Sequence, residues 1–259
     1  MIHLSLRSFL YSSLWLGTVG LVFAQVPAPK PPPPQVVSFF MVGGQEFLSE
    51  LSQQDKPATF KFRTAKGTKQ ITLVPGMPSP TFTRKAGSKI TIFQETPATE
   101  PGKPPEVVPL AEAPVPAEWS NVLVLLHLDE ASDRLTLKPI NQSFGALPPA
   151  SVSFHNFTRL PLAIKLGESH GVAPPQGSVV LPVGLSGEVT EMIRIQVAAE
   201  IDGQPKIVSS GSYALTPKDR RTILLAPGQS NRLRMSILDP APPDPVDPAA
   251  EPVKPAKAK

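Results

Sequence analysis

Asn121-Val-Leu-Val-Leu-Leu-His-Leu128 is the stretch whose reading decides the fold. Its apolar residues follow one another without the alternation of a strand that keeps one face wet. A short run of this kind reads as a strand covered on both faces. The segments around it carry the complementary pattern. Thr59-Phe-Lys-Phe-Arg63, Lys69-Gln-Ile-Thr-Leu-Val74, Lys89-Ile-Thr-Ile-Phe93 and Arg134-Leu-Thr-Leu-Lys138 place apolar residues at every second position, the period of a half-buried strand. Pro75-Gly76 and Ala86-Gly87 supply turns between them. Only Gln45–Gln54 has helical spacing, through Phe47, Leu48 and Leu51.

Downstream the strands come closer together. Val152 and Phe154, then Leu162, Ile164 and Leu166, then Val179–Leu181 mark three in succession. Glu191-Met-Ile-Arg-Ile-Gln-Val197 puts Ile193, Ile195 and Val197 on one face and runs into Ile201-Asp-Gly-Gln204. Asp-Gly is a two-residue hairpin signal, because a primed turn needs positive φ at its centre. Pro205 lacks a ladder donor, which places the return strand at a sheet edge. Ile207–Leu215, Arg221–Leu225 and Arg232–Ile237 complete the series. The expected fold is all-β: one or two antiparallel β-sandwich units, immunoglobulin-like in topology. No repeat is evident between the two β stretches.

The 259 residues include 34 prolines, 17 glycines and no cysteine. Six prolines lie in residues 25–35, seven in 97–117 and seven in 239–259, so these three segments hold 20 of the 34. Poor in aromatics and branched aliphatics, they bury too little surface to offset their ordering entropy and read as disordered spacers and a tail. The expected β regions are residues 36–96 and 118–238. Without cysteine there is no disulfide scaffold, thiol nucleophile or zinc ribbon.

Residues 1–24 read as a signal peptide. Arg7 precedes an uncharged run from Ser8 to Ala24, and Val22-Phe-Ala24 fits a cleavage site before Gln25. Cleavage removes one base and no acid, leaving 24 bases against 21 acids, a formal +3. No later segment is long and apolar enough for a transmembrane span. The address is secreted or periplasmic, at a bacterial cell envelope. Its fitting partners are a cell-envelope polymer or another envelope protein.

Chemistry is sparse. Three histidines follow the signal segment: His127 inside the apolar run, His155 opposite Phe154 and hence outward by strand parity, and His170 in the polar turn Gly167-Glu-Ser-His-Gly171. Glu168, Ser169 and His170 hold an acid, a nucleophile and a base, but consecutive residues point apart and no GxSxG elbow is present. Asp129, Glu130 and Asp133 group in one turn without EF-hand spacing. Neither a metal motif nor a phosphate loop occurs, so no metal or cofactor is expected. Arg220, Arg221, Arg232 and Arg234 are the candidate binding residues, a small positive strip on adjoining strands. It lacks interleaved aromatics and the net charge is slight, so nucleic acid is not the expected partner. Asn141-Gln-Ser143 and Asn156-Phe-Thr158 are glycosylation sequons that matter only in a glycosylating host.

Ser151-Val-Ser-Phe-His-Asn-Phe-Thr-Arg-Leu-Pro-Leu-Ala-Ile-Lys-Leu-Gly167, with the later Asp219-Arg-Arg-Thr-Ile-Leu-Leu225, resembles uncharacterised secreted bacterial β-sandwich proteins. In these a Phe-x-Asn strand precedes a Leu-Gly strand end and an arginine-led strand. The likeness covers about residues 119–238 and departs at Val172–Gly177, where the turn is longer. More distantly, the stretch is similar to periplasmic proteins that accompany polysaccharide acetylation. The resemblance implies export and a β fold, and carries over no catalytic residue. The expected function is non-catalytic, structural or binding duty at the cell envelope. The alternative is an accessory or enzyme of cell-surface polysaccharide modification.

Overall fold

The computed structural model describes residues 32–42, 59–64, 66–74, 76–96, 105–129, 134–185, 189–228, 233–238 and 241–242. The signal segment, the 45–54 helical pattern, the Asp129–Asp133 side-chain group and Arg232 lie outside the described residues. The described residues form sixteen strands. The first eight are β1 (Gln35–Val42), β2 (Thr59–Thr64), β3 (Gly67–Thr72), β4 (Phe82–Arg84), β5 (Ile90–Thr96), β6 (Glu106–Ala113), β7 (Asn121–Asp129) and β8 (Arg134–Asn141). The second eight are β9 (Ser151–Asn156), β10 (Leu162–Leu166), β11 (Ser169–Ala173), β12 (Ser178–Pro182), β13 (Glu191–Ile201), β14 (Gln204–Leu215), β15 (Arg220–Pro227) and β16 (Leu233–Ile237).

They make four sheets of four strands, ordered β3-β2-β5-β6, β4-β1-β7-β8, β12-β9-β15-β16 and β11-β10-β13-β14. Adding eight to each strand number of the first two sheets gives the last two, so the chain carries one topology twice. Each half is a sandwich of an outer and an inner sheet. The two inner sheets, β4-β1-β7-β8 and β12-β9-β15-β16, meet back to back.

Strand alternation builds this stack. In β1, Val37, Phe39 and Met41 enter the first sandwich core, while Phe40 enters a separate layer. β7 sends Val122, Val124 and Leu126 into that core and Leu123 and Leu125 to the layer. From the other side, β15 contributes Leu224 to the layer and Ile223 and Leu225 to the second core, beside Val152 and Phe154. The uninterrupted apolar run of β7 is thus a strand covered on both faces, as its sequence requires. Gln142 donates from Nε2 to Thr222 Oγ1 at 2.8 Å across the layer, a polar tie among its apolar contacts.

Several expectations are corrected. The sandwiches are not purely antiparallel: β1 pairs parallel with β7, and β9 with β15, because each later strand crosses back from the outer sheet in the direction of the first. The strand order also differs from the immunoglobulin one, which places the first, second, fifth and fourth strands together. Residues 97–117, read as a spacer, contain β6, paired with β5 from Ile90↔Ala113 to Thr96↔Glu106. Pro109 is tolerated there because β6 is a sheet edge. The 239–259 tail begins docked: Ala241 N donates to the Arg220 carbonyl, and Pro242 O accepts from Asn121 Nδ2 at 2.6 Å and from Arg220. The repeat is real in topology, and one sequence trace of it survives. Val37-Ser-Phe39 and Val152-Ser-Phe154 sit on equivalent strands, with Val and Phe in the sandwich cores and the buried serine on the opposite face.

The Asp-Gly hairpin forms as read. Ile201 pairs with Gln204 around Asp202 at φ 57° and Gly203 at φ 72°, and β14 is an edge strand.

Candidate functional site

The outer face of the β11-β10-β13-β14 sheet presents two rows of side chains at right angles to the strands. Register pairs Ala163 with Val172 and with Ala198, and Ala198 with Ile207. The next row pairs Lys165 with His170 and with Gln196, and Gln196 with Ser210. In the first row two alanines form a floor between large neighbours. Val172 is 58% exposed and Ile207 63%, so both walls stand free of the protein's own packing. Their strands lie three spacings apart, roughly 14 Å between backbones. Lys165, His170 and Gln196 close one end of a trough of about 330 Å³.

Local sequence explains why the walls stand where they do. Gly171 puts β11 close over the second core: a Cβ there would lie 2.9 Å from a Leu181 methyl. Gly167 at φ 57° then turns the chain between β10 and β11. On the far side the β13–β14 register shifts between Val197 and Ala198. This bulge turns Val208 toward the second core and Ile207 outward opposite Ala198. Charge on the trough is carried by Lys165, which adds a cation to a mostly apolar surface. An apolar floor with a few polar groups at one end is the usual build of a small-ligand site.

The expected polar turn at Gly167–Gly171 is mostly strand. Ser169 and His170 belong to β11 and point to opposite faces, with His170 exposed on the trough side. Alternation therefore separates the nucleophile from the base. The contact that does join a serine to a histidine is elsewhere: Ser153 Oγ lies 2.6 Å from His155 Nε2 on β9. Parity puts His155 opposite Phe154 as read, but it is buried rather than outward, because the inner sheet is covered on that face too. Burial, reinforced by the Lys138 cation, lowers its pKa to about 4. Enclosure denies this pair a substrate, so it serves as a buried hydrogen bond. Lys138, whose pKa burial also lowers, donates to Gln176 O at 2.9 Å and lies 4.8 Å from the Phe157 ring.

The arginines do not share one surface. Arg220 is buried, with its guanidinium on Pro242 O and 5.6 Å from the Phe144 ring. Arg221 points to the opposite side of β15, against Asp219, and lines a smaller apolar cavity of about 220 Å³ with Tyr213 and Ile237. Arg234 is exposed opposite Ala226, six residues along β15 from Arg220. At about 3.4 Å per residue this separates their backbones by roughly 20 Å.

His127 stays a strand residue, with Thr136 Oγ1 3.0 Å from its ring nitrogens. Asn156 is fully buried, so the Asn156-Phe-Thr158 sequon is closed in the folded protein. Among the described residues, no group of three or more His, Asp and Glu side chains has metal-binding geometry. Sequence reasoning missed the trough because its floor is two unremarkable alanines. The available signal was the outward alternation of Ala163 with Lys165 and of Ala198 with Gln196. No protein-family model matches the chain, and no curated protein matches it.

Proposed function

We propose that this chain is a non-catalytic binding module exported to the cell envelope, and that the trough on its second outer sheet holds the ligand. The observation that carries this reading is the pair of rows: Val172-Ala163-Ala198-Ile207, apolar, beside His170-Lys165-Gln196-Ser210, polar. A slender apolar group fits between the walls, and an acidic or acceptor head meets Lys165 at the end. An acyl chain ending in a carboxylate has this chemistry, as does an acylated anionic envelope component. The four-layer stack gives the sheet a rigid mount, and rigid elements hold a site more closely than loops. Export follows from the leader pattern of residues 1–24, and the proline-rich 25–35 segment would hold the module away from its neighbours.

Calorimetric titration of the mature chain with decanoate tests the reading. Saturable binding is expected, lost in Ala198→Leu, which fills the floor, and weakened in Lys165→Glu. Equal heats for decanoate with all three proteins would refute it.

A further inference from the structure

Each four-stranded sheet ends in two edge strands, and an unguarded edge is a template for another chain. Seven of the eight edges here carry a guard. β4 has three residues, and β11, β12 and β16 have five each. β3 carries Lys69; β6 carries Pro109 and Glu112; β8 carries Lys138 and Pro139. β14 differs. It is twelve residues long, and its guards, Pro205, Lys206 and the bulge at Val208, all lie at its start. Ser209-Ser-Gly-Ser-Tyr-Ala-Leu215 then runs for seven residues without charge or proline. Among the described residues β13 alone pairs with it. The equivalent strand of the first half, β6, has its proline and glutamate within the matching stretch.

We infer that β14 pairs antiparallel with the β14 of a second copy, joining two outer sheets into one of eight strands. The segment is self-complementary. A two-fold axis at Ser212 sets Ser209 opposite Leu215, Ser210 opposite Ala214 and Gly211 opposite Tyr213 of the other copy. No like charges meet, because both Lys206 side chains fall outside the paired stretch. Small side chains at Ser210, Gly211 and Ser212 let the backbones approach. Ile207 lies beyond the paired residues, so both troughs stay open on the joined sheet.

Sedimentation velocity of the mature chain over a concentration series tests this. A monomer–dimer equilibrium is expected. Ser212→Lys, at an exposed position, sets two lysines opposite one another and weakens the dimer by up to roughly fivefold. Val172→Lys, on the sheet face, leaves it unchanged. Hydrogen exchange keeps the test independent of folding: amides of Ser209–Leu215 gain protection with concentration in the wild type and not in Ser212→Lys. A monomer at every concentration overturns the inference. So does a dimer indifferent to Ser212→Lys, or one whose protected amides lie elsewhere, including a strand taken from a different protein.

Discussion

The two outer sheets occupy equivalent places at the ends of one four-layer stack, and they meet solvent with different chemistry. On the first, Lys61 pairs with Glu95 and Lys89 with Glu112 across β2, β5 and β6, and Arg63 lies over Phe93. On the second, Ala163, Val172, Ala198 and Ile207 form an apolar row beside Lys165, and the exposed Arg194 and Glu200 of β13 lie to either side of the two rows. The same topology thus produces one face crossed by ion pairs and one with an apolar row set between charged residues. Topology fixes where a face is; the outward alternate residues decide what it does. The proposed binding site lies on the second outer sheet.

The inner sheets make the opposite comparison, since they are alike. Phe39 and Phe154 are both fully buried at equivalent strand positions. Either change to alanine should cost about 3–5 kcal/mol. Urea unfolding should show one cooperative transition shifted in both variants, because the Phe40, Leu125 and Leu224 layer couples the halves. Two transitions, each sensitive to one variant, would mean the halves unfold separately.

His155 separates the inner sheets by pH. Its pKa in the fold is about 4, below the ordinary 6.5, because burial and then Lys138 favour the neutral ring. Stability from this group is complete above pH 6.5 and is lost as pH falls toward 4, on the order of 3 kcal/mol. Urea midpoints at pH 7.5 and 4.5 should diverge in the wild type and converge in His155→Gln.

Asn156 ties the second half alone. Its Nδ2 donates to the carbonyls of Leu160 at 2.8 Å, Pro174 at 3.0 Å and Ala173 at 3.1 Å, and its Oδ1 accepts from Thr158. Asn156→Ala removes these bonds at once, with Thr158 Oγ1 still donating to the Leu160 carbonyl and Gly177 N to that of Pro174, and should cost about 2 kcal/mol in chemical denaturation. The smallest effect belongs to the charged face. Lys89→Ala breaks an exposed pair with Glu112 and should change the urea midpoint by less than about 1 kcal/mol equivalent.

Much of this was legible in the residues. Period-two alternation located strands such as Thr59–Arg63 and Leu162–Leu166, and the Asp202-Gly203 turn fixed a hairpin and its register. The unbroken Asn121–Leu128 run announced a strand with two covered faces. Other elements hid for physical reasons. β6 carries proline and glutamate because it is a guarded edge, so its composition resembles a spacer. β11 opens with Ser-His-Gly, the glycine being where it packs closely over Leu181, so it resembles a turn. The parity of His155 was readable, but the partner sheet that buries it comes from residues more than a hundred positions away in places. The trough was the least legible feature, since it depends on which residues lie opposite one another across four strands.

The most direct measurement is an amide chemical-shift titration of the mature chain with decanoate. With the ligand in the trough, shifts should be confined to Ala163, Lys165, His170, Val172, Gln196, Ala198 and Ile207, and absent in Ala198→Leu. Shifts centred on Arg221, Arg234 or the charged first outer sheet, with these seven unmoved, would contradict it.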